Sequence, residues 1–186
     1  MNAIALLRDD HRRVKQLFRE YERLGPRAKR AKQRIVQEFS RELAVHSNIE
    51  EVVFYPQVRE HVQRAEDEVL EGLEEHHIVK WTLSELEKMR PEDERYDAKV
   101  RVLMESVRHH IDEEERELFP RVRAAVSRAE LNEMGEKLQQ AKAAAPTRPH
   151  PRAPDEPPAN VVAAAISAPM DVVMDGAKHA VSRVRG

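Results

Sequence analysis

The chain of 186 residues is 35% charged, 40% hydrophobic and 4% aromatic, with a formal net charge of -2. It has no Cys, which excludes disulfides, thiolate metal sites and Cys nucleophiles, and its charge balance offers nucleic acid no basic field. No apolar run approaches about 18 residues and the opening MNAIALLRDDHRR lacks a basic-then-apolar leader, so a cytoplasmic protein without a membrane span is expected.

Gly is scarce while Leu, Glu, Arg, Lys and Ala abound, so helices are expected throughout. Ile4, Leu7, His11, Val14, Phe18 and Tyr21 recur at helical spacing and predict a first helix over about residues 3–24, ended by Gly25-Pro26. The second starts near Arg27 and carries Ile35, Phe39, Leu43, His46, Glu50 and Phe54, with Pro56 set to kink or interrupt it. The third, about 66–89, carries Val69, Leu73, His76, Leu83 and Leu86. The fourth, about 94–126, carries Val100, Leu103, Val107, His110, Glu114 and Leu118, with Pro120 placed as Pro56 is in the second. Ser127 and Glu130 have the spacing of a capping box, which predicts a short fifth helix to about Lys142. Six prolines between residues 146 and 158 then predict an extended linker. Residues 160–186 fit either a short helical segment or a disordered tail. The expected layout is a domain over 1–145, a Pro-rich linker over 146–159 and a C-terminal extension over 160–186, which could serve a protein partner or oligomerisation.

Two segments are near-copies 64 residues apart: His46-Ser47-Asn48-Ile49-Glu50-Glu51-Val52-Val53-Phe54-Tyr55-Pro56 and His110-Ile111-Asp112-Glu113-Glu114-Glu115-Arg116-Glu117-Leu118-Phe119-Pro120. At an offset of 65, Asp10-His11-Arg12-Arg13-Val14-Lys15 aligns with Glu75-His76-His77-Ile78-Val79-Lys80. The chain therefore reads as two copies of a helix pair, which predicts an all-α, up-down-up-down four-helix bundle.

Each near-copy sets a His and a Glu four residues apart, which on a helix brings them within about 40° of one face. The second alignment adds one His from each remaining helix. The candidate metal ligands are therefore His11, His46, Glu50, His76, His110 and Glu114. Imidazole and carboxylate donors on facing helices suit two transition-metal ions, iron first, with manganese or zinc also acceptable. Metal would also give buried carboxylates a reason to be buried. The internal symmetry assigns His11 and His46 to one ion, His76 and His110 to the other, and Glu50 and Glu114 to both. With an oxide or hydroxide bridge, each ion would have about five donors and about one open position, which implies a small reacting ligand. Asp10, Glu51, Glu75 and Glu115 are candidates to orient the imidazoles through their second ring nitrogen. His61, His77 and His109 read as structural or exposed residues, Lys15 and Lys80 as solvated, Trp81 as interhelical packing, and Phe54 and Leu118 as core residues lining the pocket. Tyr55 lies off the ligand stripe unless Pro56 distorts the helix. No catalytic residue and no nucleotide or flavin motif stands out.

Taken together, Asp10-His11, His46 to Pro56, Glu75-His76 and His110 to Pro120 resemble the hemerythrin-like HHE cation-binding family of bacterial type, over about residues 3–143. Thr147-Arg148-Pro149-His150-Pro151 is also similar to bacterial members. The resemblance implies two non-haem irons in a four-helix bundle that handles dioxygen, hydrogen peroxide or nitric oxide. Oxygen-carrying members have a His four residues after the third-helix His, where this chain has Lys80. That departure points away from reversible oxygen carriage and toward catalase- or peroxidase-like turnover, in oxidative-stress protection or O2 or redox sensing. The alternative is an oxygen- or iron-binding or storage protein without turnover. A seventh ligand from Tyr55, His77 or another side chain stays open.

Overall fold

The computed structural model describes residues 1–184, with side chains to residue 174. Helix α1 (Ala3–Arg23) packs on α2 (Lys29–Ile49), and α4 (Glu66–Leu86) packs on α5 (Tyr96–Glu113). Helix α2 continues through a π turn, Glu50–Phe54, into α3 (Tyr55–His61), and α5 continues through a second, Glu114–Leu118, into α6 (Phe119–Ala125). Contacts of α1 with α5 and of α2 with α4 close the ring, and short connections make consecutive members antiparallel. The result is the expected helical bundle.

The boundaries follow from local chemistry. The Asn2 side chain accepts the Ala5 N–H at 2.9 Å and caps α1. Proline at 56 and 120 has no N–H for the helical ladder, and its ring crowds the preceding turn. The chain answers by widening rather than breaking: the N–H of Tyr55 bonds the Glu50 carbonyl, and that of Phe119 bonds the Glu114 carbonyl. The expected kink at Pro56 is thus a π turn that holds the helix together.

On each long helix the candidate ligand separates two apolar stretches. Val14, Phe18, Phe39, Leu43, Val79 and Val107 belong to one buried core. Ile4, Leu7, Ile49, Leu73, Leu118 and Phe119 belong to another. The four histidines fall between these stretches along the chain, so they form a polar layer inside an apolar bundle.

Helix α7 (Arg128–Ala144) begins with the expected capping box: Ser127 accepts the Glu130 N–H, and Glu130 accepts the Ser127 N–H at 2.8 Å. It covers the second core with Leu131, Met134 and Leu138. Gly135 lets it approach the N-terminus, since a Cβ there would collide with the backbone of Met1 and Asn2. Residues 159–184 form one 26-residue helix, α8 (Ala159–Val184), where composition left a short helix or disorder open. Among the described residues no helix is long and apolar enough to cross a membrane.

Candidate metal centre

All six predicted ligands converge in the bundle interior, and all are buried. His11 and His46 bring their Nε2 atoms to 3.2 Å of each other, and His76 and His110 do the same at 3.2 Å. Glu50 Oε2 lies 3.1 Å from His46 Nε2 and 3.3 Å from His76 Nε2. Glu114 Oε2 lies 3.2 Å from His11 Nε2 and 3.7 Å from His110 Nε2. Each glutamate therefore spans both histidine pairs, as bridging carboxylates would.

Three of the four outer nitrogens are held by carboxylates. Nδ1 of His11 lies 3.0 Å from Glu115 Oε1, that of His76 2.9 Å from Glu51 Oε1, and that of His110 2.7 Å from Glu75 Oε2. Asp10 Oδ2 faces His46 Nδ1 at 3.7 Å, while its other oxygen pairs with Lys142 of α7. Glu115, Glu51 and Glu75 thus hold an imidazole as expected, while Asp10 faces His46 without a hydrogen bond. A proton fixed on Nδ1 by its carboxylate leaves the Nε2 lone pair facing inward.

The arrangement is that of a cation site. Two nitrogen lone pairs at 3.2 Å repel unless a proton or cation lies between them. Both oxygens of Glu50 and one of Glu114 are buried without a hydrogen-bond partner. Such orphaned groups are expensive in an apolar interior. Burial and the neighbouring Glu114 charge push the Glu50 carboxyl well above its ordinary range. Burial also opposes ionisation of Glu114, yet His110, His11 and His46 pull its carboxyl down to about 2. His76 is held well below the ordinary imidazole value by burial and by the positive charge of its neighbours. Metal ions would satisfy these donors together.

The π turns add residues that a 3.6-residue period does not place here. Tyr55 and Phe119 follow Glu50 and Glu114 by five positions, one π-helical turn. The Tyr55 hydroxyl donates to Glu114 Oε1 at 3.2 Å, and its ring stacks on His76 at 5.5 Å. Phe119 stacks on His11 at 5.7 Å. Phe54 is in the apolar core, packed edge-on against Phe119, and Leu118 lies beside it in the same core. The sequence signal was the proline six residues after each Glu.

Three expectations need correcting. Lys80 is not solvated: it is 9% exposed, and its Nζ donates to Glu51 Oε2 at 2.6 Å. Lys15 has the same role in the other half, reaching Glu115 at 3.7 Å and Asp112 at 3.3 Å. Each lysine stands four residues after a histidine on the same helix face and supports the carboxylate that orients that histidine. Trp81 is 47% exposed and belongs to neither buried core. His77 and His109 are exposed and His61 is half-buried, so none of the three joins the buried cluster.

The hemerythrin HHE cation binding domain model matches residues 2–122. The chain belongs to the hemerythrin HHE family. An uncharacterised hemerythrin-like protein from Schizosaccharomyces pombe is 34% identical over 139 residues, covering 74% of this chain and 68% of that protein. A protein from Nostoc named a DNA nickase is 27% identical over 146 residues, which cover 76% of this chain but 39% of that relative. The crystal structure of a hemerythrin HHE cation binding domain-containing protein from Mycobacterium kansasii has the same fold, with a TM-score of 0.63 at 24% identity over 77% of this chain and 88% of that one. The family and the buried His/Glu cluster together mark this hemerythrin-like chain as a metal-binding protein.

Proposed function

We propose that this hemerythrin-like domain holds two non-haem irons in the layer between its two cores and turns over a small oxidant, hydrogen peroxide first. The observation that carries the reading is the set of six inward donors with orphaned carboxylate oxygens and opposed Nε2 atoms. His11 and His46 would hold one iron, His76 and His110 the other, with Glu50 and Glu114 shared. Bound iron would supply reversible one-electron chemistry on each ion. The chain supplies the rest. Val14, Leu43, Val79, Val107 and Ile111 wall the histidine side of the centre and keep bulk water out. The Tyr55 hydroxyl, already donating to Glu114, would offer a hydrogen bond beside the centre. Its phenol is pushed well above the ordinary range, first by burial and then by Glu114 and Glu50, so it works as a neutral donor. Lys80 goes to Glu51 and not to the centre, so it does not replace the imidazole that oxygen carriers have there.

Two hydrogen peroxide molecules would yield two waters and one dioxygen, consistent with a role in oxidative-stress protection. An oxygen electrode tests this directly. The iron-loaded protein is expected to release dioxygen from peroxide, and Glu114→Ala, which removes a shared donor, is expected to lose both iron and activity. Two bound irons with no peroxide consumption would favour the binding or storage reading instead.

A further inference from the structure

The two halves of the bundle are alike at the centre and unlike at the surface beside it. At the two repeat offsets, Leu6 corresponds to Glu71, Leu7 to Gly72, Ile49 to Glu113 and Val53 to Glu117. In the first half these positions are apolar, and α7 lies across α1 and the first π turn there. In the second half Glu71 and Glu117 are exposed, Glu113 is half-buried, and Gly72 is buried against Tyr55. A cavity of about 60 Å3 opens there, with Glu68, Glu71, Glu75, Glu113, Glu117 and Gly72 toward its mouth and the buried Tyr55, His110, Glu114 and Leu118 at its floor. One water needs only about 10–15 Å3 by the same measure, so small hydrated species fit. Gly72 keeps the passage open beside the Tyr55 ring, where the other half has the Leu7 side chain.

The mouth has its own donor set. One ligand atom from each of Glu75, His109 and Glu113 lies within 4.8 Å of the others. His109 Nε2 and Glu113 Oε1 are 3.1 Å apart, and the second Glu75 contact is to Nδ1 of the ligand His110 at 2.7 Å. At the floor, Glu114 is buried: its Oε1 takes the Tyr55 hydroxyl, and its partnerless Oε2 faces the histidines of the centre. A path lined mostly by carboxylates therefore runs from solvent to the ligands Glu114 and His110, and although Arg121 pairs with Glu68 at its edge, an excess of one charge in a cleft concentrates the opposite ion.

We propose that this acidic mouth is the loading route for divalent metal, with Glu75, His109 and Glu113 as a first station from which the ion passes to His110 and Glu114. The inference rests on the metal-centre reading above, and the test separates the two. Full-length apoprotein is mixed anaerobically with cobalt(II), and absorption of the bound ion is followed by stopped flow. Wild type takes up two cobalt ions per chain. The His109→Ala/Glu113→Gln double variant, and separately Glu117→Gln/Glu71→Gln, load about tenfold more slowly at low ionic strength. Both reach the same final two ions and the same spectrum, and the difference narrows in high salt. Glu133→Gln/Glu136→Gln, which removes two charges on the exposed face of α7, loads like wild type. Wild-type rates in both mouth variants, or a final content below two ions, overturn the loading route. Failure of wild type itself to bind two ions overturns the centre on which it rests.

Discussion

At the residue scale, the informative positions are those where the two halves differ. Tyr55 and Phe119 occupy equivalent sites, yet only Tyr55 carries a hydroxyl, and only Gly72 opposite it lacks a side chain. A Cβ at Gly72 would stand 2.7 Å from the Tyr55 hydroxyl oxygen, too close for either to stay. Gly72→Ala is therefore expected to cost about 1–3 kcal/mol by overpacking, and much less in a Tyr55→Phe background that lacks the clashing atom. Urea unfolding of the four proteins of this cycle checks it, and additive losses would show that the two residues do not touch. The carboxyls predict a pH effect as well. Burial and the Glu114 charge raise the Glu50 carboxyl well above its ordinary value, so without metal it holds its proton to higher pH than a free carboxyl does. Metal must displace that proton, so binding releases acid and weakens as pH falls. A pH indicator in weak buffer should report proton release on metal addition, and Glu50→Gln should release less.

At the element scale, much was legible and the reasons for the rest are physical. The internal repeat located all six candidate ligands because a His and a Glu at helical spacing must share a face whatever else the helix does. Glu51, Glu75 and Glu115 were legible as imidazole partners, and Asp10 as the carboxylate facing His46, because each adjoins a ligand. The π turns were not, because a 3.6-residue period assumes an unbroken ladder. That period put Phe54 and Leu118 on the stripe, whereas five-residue spacing delivered Tyr55 and Phe119. Lys80 misled for a different reason: a lysine on a charged helix reads as solvated until its partner, Glu51 on another helix, is known. The docking of α7 was equally hidden, since it depends on Gly135 meeting the N-terminal backbone. Gly135→Ala is expected to destabilise the fold by about 3 kcal/mol, because backbone cannot yield as a flexible side chain does. Thermal unfolding checks this, and an unchanged midpoint would mean that α7 does not pack there.

At the scale of the whole molecule, Asp171 ties α8 to the linker, while α8 also meets α7 and the first π turn and Arg59 pairs with Glu156 of the linker. Asp171 is 2% exposed and accepts the backbone N–H groups of Thr147 and Arg148 at 3.0 and 3.1 Å, with His150 Nε2 also 3.1 Å away. The Thr147–Pro151 motif is thus a clasp for α8. The linker and α8 line the same small cavity as Glu51 and Lys80, the pair behind His76. Asp171→Ala should release the segment, so that limited proteolysis cuts between residues 146 and 158 while the bundle survives. Equal cutting in wild type and variant would count against the clasp.

The centre links these scales, since orphaned carboxylates, opposed imidazoles and widened helices all describe one site for two ions. Titrating the apoprotein with iron(II) under anaerobic conditions, with metal analysis of the product, tests that claim most directly. The account predicts a break at two irons per chain, lost in Glu114→Ala. A break at one, no break, or tighter binding of zinc than iron at a single site would contradict it.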